Sequence, residues 1–148
     1  MSKPRSERLG VVLGLAERQK EAADRYLAES QQRLQHAETQ LIQLQDYMLE
    51  YQQQFTQAGQ RGLTTDQLRQ HQAFIGRLEQ AMRQQHETIR VARQQLEQVK
   101  QYWQSVYARY KGIQKLTDKA VYSEQALRDK REQQAIDERS QRNRGFGI

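Results

Sequence analysis

The segment Ala58-Gly59-Gln60-Arg61-Gly62-Leu63-Thr64-Thr65-Asp66-Gln67-Leu68 separates two long helical patterns and decides how they meet. Gly59 and Gly62 favour backbone states that a helix does not use, so the first helix stops there. Thr64-Thr65-Asp66-Gln67 then reads as a capping box. The Thr64 hydroxyl accepts from the Gln67 amide N–H, and the Gln67 side chain reaches back to the Thr64 amide. Leu63 and Leu68 bracket the cap as a hydrophobic staple. A connection this short, residues 58–64, sets its two helices antiparallel.

Outward from the loop, apolar residues recur at alternating steps of three and four. With heptad letters, helix one has Leu13, Lys20, Leu27, Leu34, Leu41, Met48 and Phe55 at a. Its d positions are Leu9, Ala16, Ala23, Ser30, Ala37, Leu44 and Tyr51. Helix two has Ile75, Met82, Ile89, Leu96, Trp103 and Tyr110 at a, with Leu78, Gln85, Ala92, Val99, Val106 and Ile113 at d. A repeat sustained this long predicts a left-handed coiled coil. The fold class expected is all-α: an antiparallel two-helix hairpin, with helices over about 6–57 and 65–138. Helix one should be ~80 Å long at ~1.5 Å per residue.

The antiparallel register sets Leu13 against Tyr110, Leu34 against Ile89, Leu41 against Met82 and Met48 against Ile75. Lys20 falls opposite Trp103, where it either lays its ammonium over the indole or snorkels to water. Residues beyond about 118 have no partner in this register and project as a single overhanging helix. Residues 140–148, with Arg142, Arg144, Gly145 and Gly147, are expected to be a disordered tail.

Composition agrees with a seam rather than a globular core. Hydrophobic residues make up 36% of the 148, too few for a large interior but enough for about two apolar positions in seven. There is one proline and no cysteine, which excludes disulfides and thiolate metal sites. No apolar run approaches the ~18 residues of a membrane span, and no apolar h-region is read after Met1. The chain is therefore expected to be cytoplasmic. Its formal charge of +6 lies at the chain ends, because residues 26–100 carry eight basic and eight acidic groups.

Chemistry-bearing constellations are missing. His36, His71 and His86 are scattered, with no Cys or paired carboxylate at ligand spacing. Gly10 and Gly14 follow no strand and have no phosphate-loop spacing; they weaken or bend helix one, or permit a close contact. A two-helix rod assembles no Ser/His/Asp set and encloses no active site. The expectation is no enzyme, no cofactor and no metal.

Two surfaces remain. One edge of the seam carries Val12, Tyr26, Tyr47, Phe74, Ala81 and Tyr102 at g, whereas the e edge is polar. These rings either mark a partner site or only widen the seam. The open end carries Lys111, Lys115, Lys119, Arg128, Lys130, Arg131 and Arg139 among Asp118, Glu124, Asp129, Glu132, Asp137 and Glu138. Such mixed signs describe either a solvated helix or one ordered by insertion into a partner. They argue against nucleic-acid binding, which needs a one-sign surface.

Three segments carry a family resemblance: residues 40–47 (Gln-Leu-Ile-Gln-Leu-Gln-Asp-Tyr) continuing to Tyr51, residues 74–81 (Phe-Ile-Gly-Arg-Leu-Glu-Gln-Ala), and residues 132–138 (Glu-Gln-Gln-Ala-Ile-Asp-Glu). In their order about the loop, the chain resembles the FliJ family of the flagellar type III export apparatus. The resemblance implies a fold similar to the gamma stalk of rotary ATPases. It also implies binding to the export ATPase ring FliI, to the export gate FlhA and to export chaperones, peripherally at the inner membrane of the flagellar base.

The gate-binding surface implied is Gln40, Leu44, Tyr47, Tyr51, Phe74, Leu78, Ala81 and Gln85. The family can carry His where this chain has Gln85, with His86 beside it. The ring-binding residues implied are Lys119, Arg128, Arg131, Asp137 and Glu138. Rival readings are the stalk protein of a virulence type III system and a coiled-coil adaptor with no ATPase partner.

Overall fold

A computed structural model describes residues 3–146; Met1, Ser2, Gly147 and Ile148 lie outside the described residues. The fold is all-α, with α1 over Arg5–Gly59 and α2 over Thr65–Phe146 packed against each other as a hairpin. The chain divides into two compact units, one of residues 23–103 and one of residues 3–22 with 104–146.

The unit of residues 23–103 contains the loop. α1 closes through three tightened bonds, from the amides of Gln60, Arg61 and Gly62 to the carbonyls of Gln57, Ala58 and Gly59. Gly62 then takes φ +93°, a left-handed state that turns the chain out of the helix. The capping box forms as the sequence predicts. The Gln67 amide donates to Thr64 Oγ1 at 3.1 Å, and the Thr64 amide donates to Gln67 Oε1 at 3.0 Å. Leu63 folds back to Gly59, whose ideal Cβ would stand 3.4 Å from Leu63 Cδ1.

Within this unit none of the a and d residues from Ala23 to Phe55 or from Ile75 to Trp103 is exposed. Ala23, Ser30 and Ala37 on α1 and Leu78, Ile89 and Ala92 on α2 are buried, while the larger Leu27, Leu34, Leu41, Met48 and Phe55 are half-buried. A pair of helices has no third layer. A long side chain in its seam therefore keeps one flank in water, and mostly small ones are fully covered. Trp103 Nε1 donates to Asp24 Oδ1 at 2.7 Å, tying α2 to α1 at the end of the unit away from the loop.

In the other unit, Ala16 on α1 and Thr117 on α2 are buried, and Leu9, Leu13, Val106, Tyr110 and Ile113 are half-buried. Lys20 Nζ lies over the Tyr110 ring, 5.8 Å from its centroid and within cation–π range. The helices stay paired further than expected. Thr117 is buried, and Glu124 accepts from the Ser6 amide at 3.1 Å and from the Ser6 hydroxyl. Ser6 lies in the first turn of α1, where amides have no intrahelical acceptor, so the Glu124 carboxylate caps α1 from across the seam. These bonds, with Arg128 adding a weaker pull, hold the Glu124 carboxyl below its usual range.

Every side chain from Gln125 to Gly145 is exposed. α2 nevertheless continues to Phe146 rather than ending near residue 138. Side-chain bonds four residues apart, Gln125 to Asp129 and Gln133 to Asp137, support it, and Arg144 suits the negative end of the helix dipole. Gly10 and Gly14 have open space around them, since a Cβ at either would meet nothing within 4 Å. They permit no close contact.

Candidate functional site: a charge-poor wall along the seam

The two flanks of the unit of residues 23–103 differ in chemistry. The g flank presents Tyr26, Arg33, Gln40 and Tyr47 from α1 and Phe74, Ala81, Thr88, Gln95 and Tyr102 from α2. Its one charged residue, Arg33, lies 3.9 Å from Glu29 on the same helix. The e flank presents Asp24, Glu38, Glu79, Arg93 and Lys100, with Arg93 3.4 Å from Glu38 across the seam. Loss of charge together with added aromatics is the composition of an interface core.

Near the loop the g flank becomes an aromatic cluster. Phe74 meets Tyr47 edge-on at 6.0 Å and Tyr51 at 4.3 Å between ring centroids. His71 stacks flat on Phe55 at 3.5 Å and on Tyr51 at 5.4 Å. Its buried Nδ1 has no hydrogen-bond partner. His71 falls at d, one step before Ile75 in the heptad, and that spacing marks it as a seam residue although its type does not. Tyr47 remains half exposed despite these contacts.

Of the residues implied for gate binding, Tyr47, Tyr51 and Phe74 thus form one cluster. Gln40 joins Gln85, whose Nε2 donates to Gln40 Oε1 at 3.2 Å and to the Ala37 carbonyl at 2.8 Å. Leu44 and Ala81 are half-buried, and Leu78 is buried in the seam. His86, next to Gln85, lines the opposite flank instead. The residues implied for ring binding, Lys119, Arg128, Arg131, Asp137 and Glu138, lie in the other unit and are all exposed along α2. Lys119 borders a hollow of about 200 Å³, shared with Arg5, Leu116 and Glu124.

Beyond Gln40 the g flank opens into a groove of about 750 Å³. Ala37 and Ala92 lie at its floor, with Val91 half exposed beside them. The e flank also holds apolar surface that the heptad reading passes over. Ile42 and Leu49 are 55% and 56% exposed beside hollows lined by Leu41 and Ile89 and by Met48 and Met82. Both sit at b, one heptad apart, and that recurrence was the available signal.

Among the described residues no group of three His, Cys, Asp or Glu side chains could hold a metal ion. Nor is any helix long and apolar enough to cross a membrane. The family described as Flagellar FliJ protein matches residues 5–145. A curated relative, the Flagellar FliJ protein of Escherichia coli (strain K12), is 28% identical over 134 residues, covering 90% of this chain and 91% of the relative. No solved structure matches. Residues 5–145 take in nearly all of both helices and the whole charge-poor wall, and the chain belongs to the FliJ family of flagellar proteins.

Proposed function

We propose that this chain is a non-enzymatic component of the flagellar type III export apparatus. It binds the ring of the export ATPase FliI, promotes its assembly and activity, and links it to the export gate FlhA and to export chaperones. It acts in the cytoplasm, at the inner membrane of the flagellar base through these partners. The observation that carries the reading is the family match over residues 5–145. The wall adds physical support, because a charge-poor flank with half-exposed rings costs solubility unless a partner covers it.

In this reading Gln40, Leu44, Tyr47, Tyr51, Phe74, Leu78, Ala81 and Gln85 bind the gate. Lys119, Arg128, Arg131, Asp137 and Glu138 enter the ring in the manner of a gamma stalk. A single coiled coil inside a six-fold ring touches its subunits unequally. It therefore stabilises different subunit states by different amounts, which biases the hydrolysis cycle. ATP hydrolysis by purified FliI with and without the chain tests this. Faster turnover is expected, and an unchanged rate with both proteins folded would overturn it.

A further inference from the structure

The gate-binding residues occupy only the loop-proximal part of the g flank, and the chemistry that distinguishes this flank continues past them. The Trp103–Asp24 bond brings Tyr26 and Tyr102 to one level of the seam, and both rings are half exposed. The groove over Ala37 and Ala92 lies between this pair and the Tyr47–Phe74 pair. We propose that the g flank is one continuous docking surface from Tyr47 and Phe74 to Tyr26 and Tyr102. Its occupant is a partner helix of about six turns whose inserted face is apolar and uncharged. The inference rests on the gate-binding reading and deepens it.

Three observations choose this occupant. The floor of the groove is two buried alanines at d, so the seam leaves holes that side chains from a third helix fill as knobs. The acids of its rim have nearby bases, Glu29 with Arg33 at 3.9 Å and Glu87 with Arg90 at 2.6 Å. A charged face would meet acids and bases that already have partners on their own helices, and would lose hydration on entry. Finally, α1 and α2 spend their backbone groups within themselves. An extended segment laid in the groove would leave its own amides unpaired, whereas a helix brings its bonds with it. The span from Tyr26 to Tyr47 along α1 is ~30 Å at ~1.5 Å per residue, which sets the length of the occupant.

The test is calorimetric binding of the full chain to the cytoplasmic region of FlhA. Two variants probe the extension: Val91→Glu at the groove, and Tyr26→Ser with Tyr102→Ser at its far end. Val91 is exposed enough to accept a carboxylate, and circular dichroism checks that helicity is kept. Each variant is expected to bind about tenfold more weakly or worse, while Leu49→Glu on the opposite flank stays within about twofold. If both bind like the parent chain while Tyr47→Ala with Phe74→Ala loses binding, the extension is wrong and the gate reading stands. If that pair also binds normally, the gate assignment of the wall falls, and this inference with it. A parent chain that sediments as a dimer, made monomeric by Val91→Glu, would make the occupant a second copy and overturn the proposal.

Discussion

Ile89 and Val91 are two residues apart on α2, one in the seam and one beside it, with 5% and 37% of their surface exposed. Replacing Ile89 by alanine removes three covered carbons at ~0.8 kcal/mol each, about 2.4 kcal/mol of lost burial. The hollow of about 380 Å³ that Ile89 borders opens to solvent, so the void left behind is not sealed. The additional cavity cost is therefore small, and the total should be ~2–3 kcal/mol. Val91→Ala removes two partly wetted carbons, ~1 kcal/mol, against ~0.5 kcal/mol gained in helix propensity. Its net effect should be below ~1 kcal/mol. Urea titration separates the two substitutions, followed by circular dichroism and by the fluorescence of Trp103, the single tryptophan. With a slope of ~2 kcal/mol per molar urea, Ile89→Ala should lower the midpoint by ~1–1.5 M. A loss no larger than that of Val91→Ala would refute the reasoning, because it would mean that α1 does not cover Ile89 in solution.

Four further outcomes can be checked by thermal or urea melts. Gly62→Ala should cost ~1–2 kcal/mol through backbone strain alone, since φ is +93° and no atom lies near the added methyl; an unchanged midpoint would show that the turn relaxes. Thr64→Ala should cost ~1 kcal/mol by removing the cap of α2, and Thr64→Ser should restore most of it. Glu124 has a lowered carboxyl pKa, so its contribution is present above the unfolded value of about 4.3 and is lost as pH falls through the folded one; Glu124→Gln should melt below the parent chain at pH 7, with the gap closing toward pH 3, and a gap independent of pH would exclude the charge as its cause. Gly14→Ala should stabilise by ~0.5–1 kcal/mol, because the site is helical and open; a loss would reveal a contact there.

Much of the candidate wall was legible from spacing. Tyr47 and Phe74 share the g edge in any antiparallel register about this loop, and their rings do meet. The groove was not legible, because Ala37 and Ala92 read only as ordinary small seam residues. Their consequence, an unfilled hollow, depends on which side chains stand opposite. His71 was passed over as one of three scattered histidines, yet its stack on Phe55 and Tyr51 places it in the seam. Ile42 and Leu49 fall at b, a position that the heptad pattern assigns to water.

The amino-acid order by itself determined the elements, their faces and their reversal. A period of three and four fixes which side of each helix is apolar, and Gly62 with the Thr64–Gln67 box fixes where one helix ends and the next begins. These signals act within a few residues, so no tertiary information is needed to read them. The loop fixes the approximate register, but the individual partners far from it were decided only by the tertiary structure. It sets Tyr110 under Lys20, joins Trp103 to Asp24, and places Glu124 on the first turn of α1. A heptad repeat looks the same after a shift of seven residues. Pairings between residues far apart in the chain therefore follow from the summed fit of many side chains, which no local pattern contains.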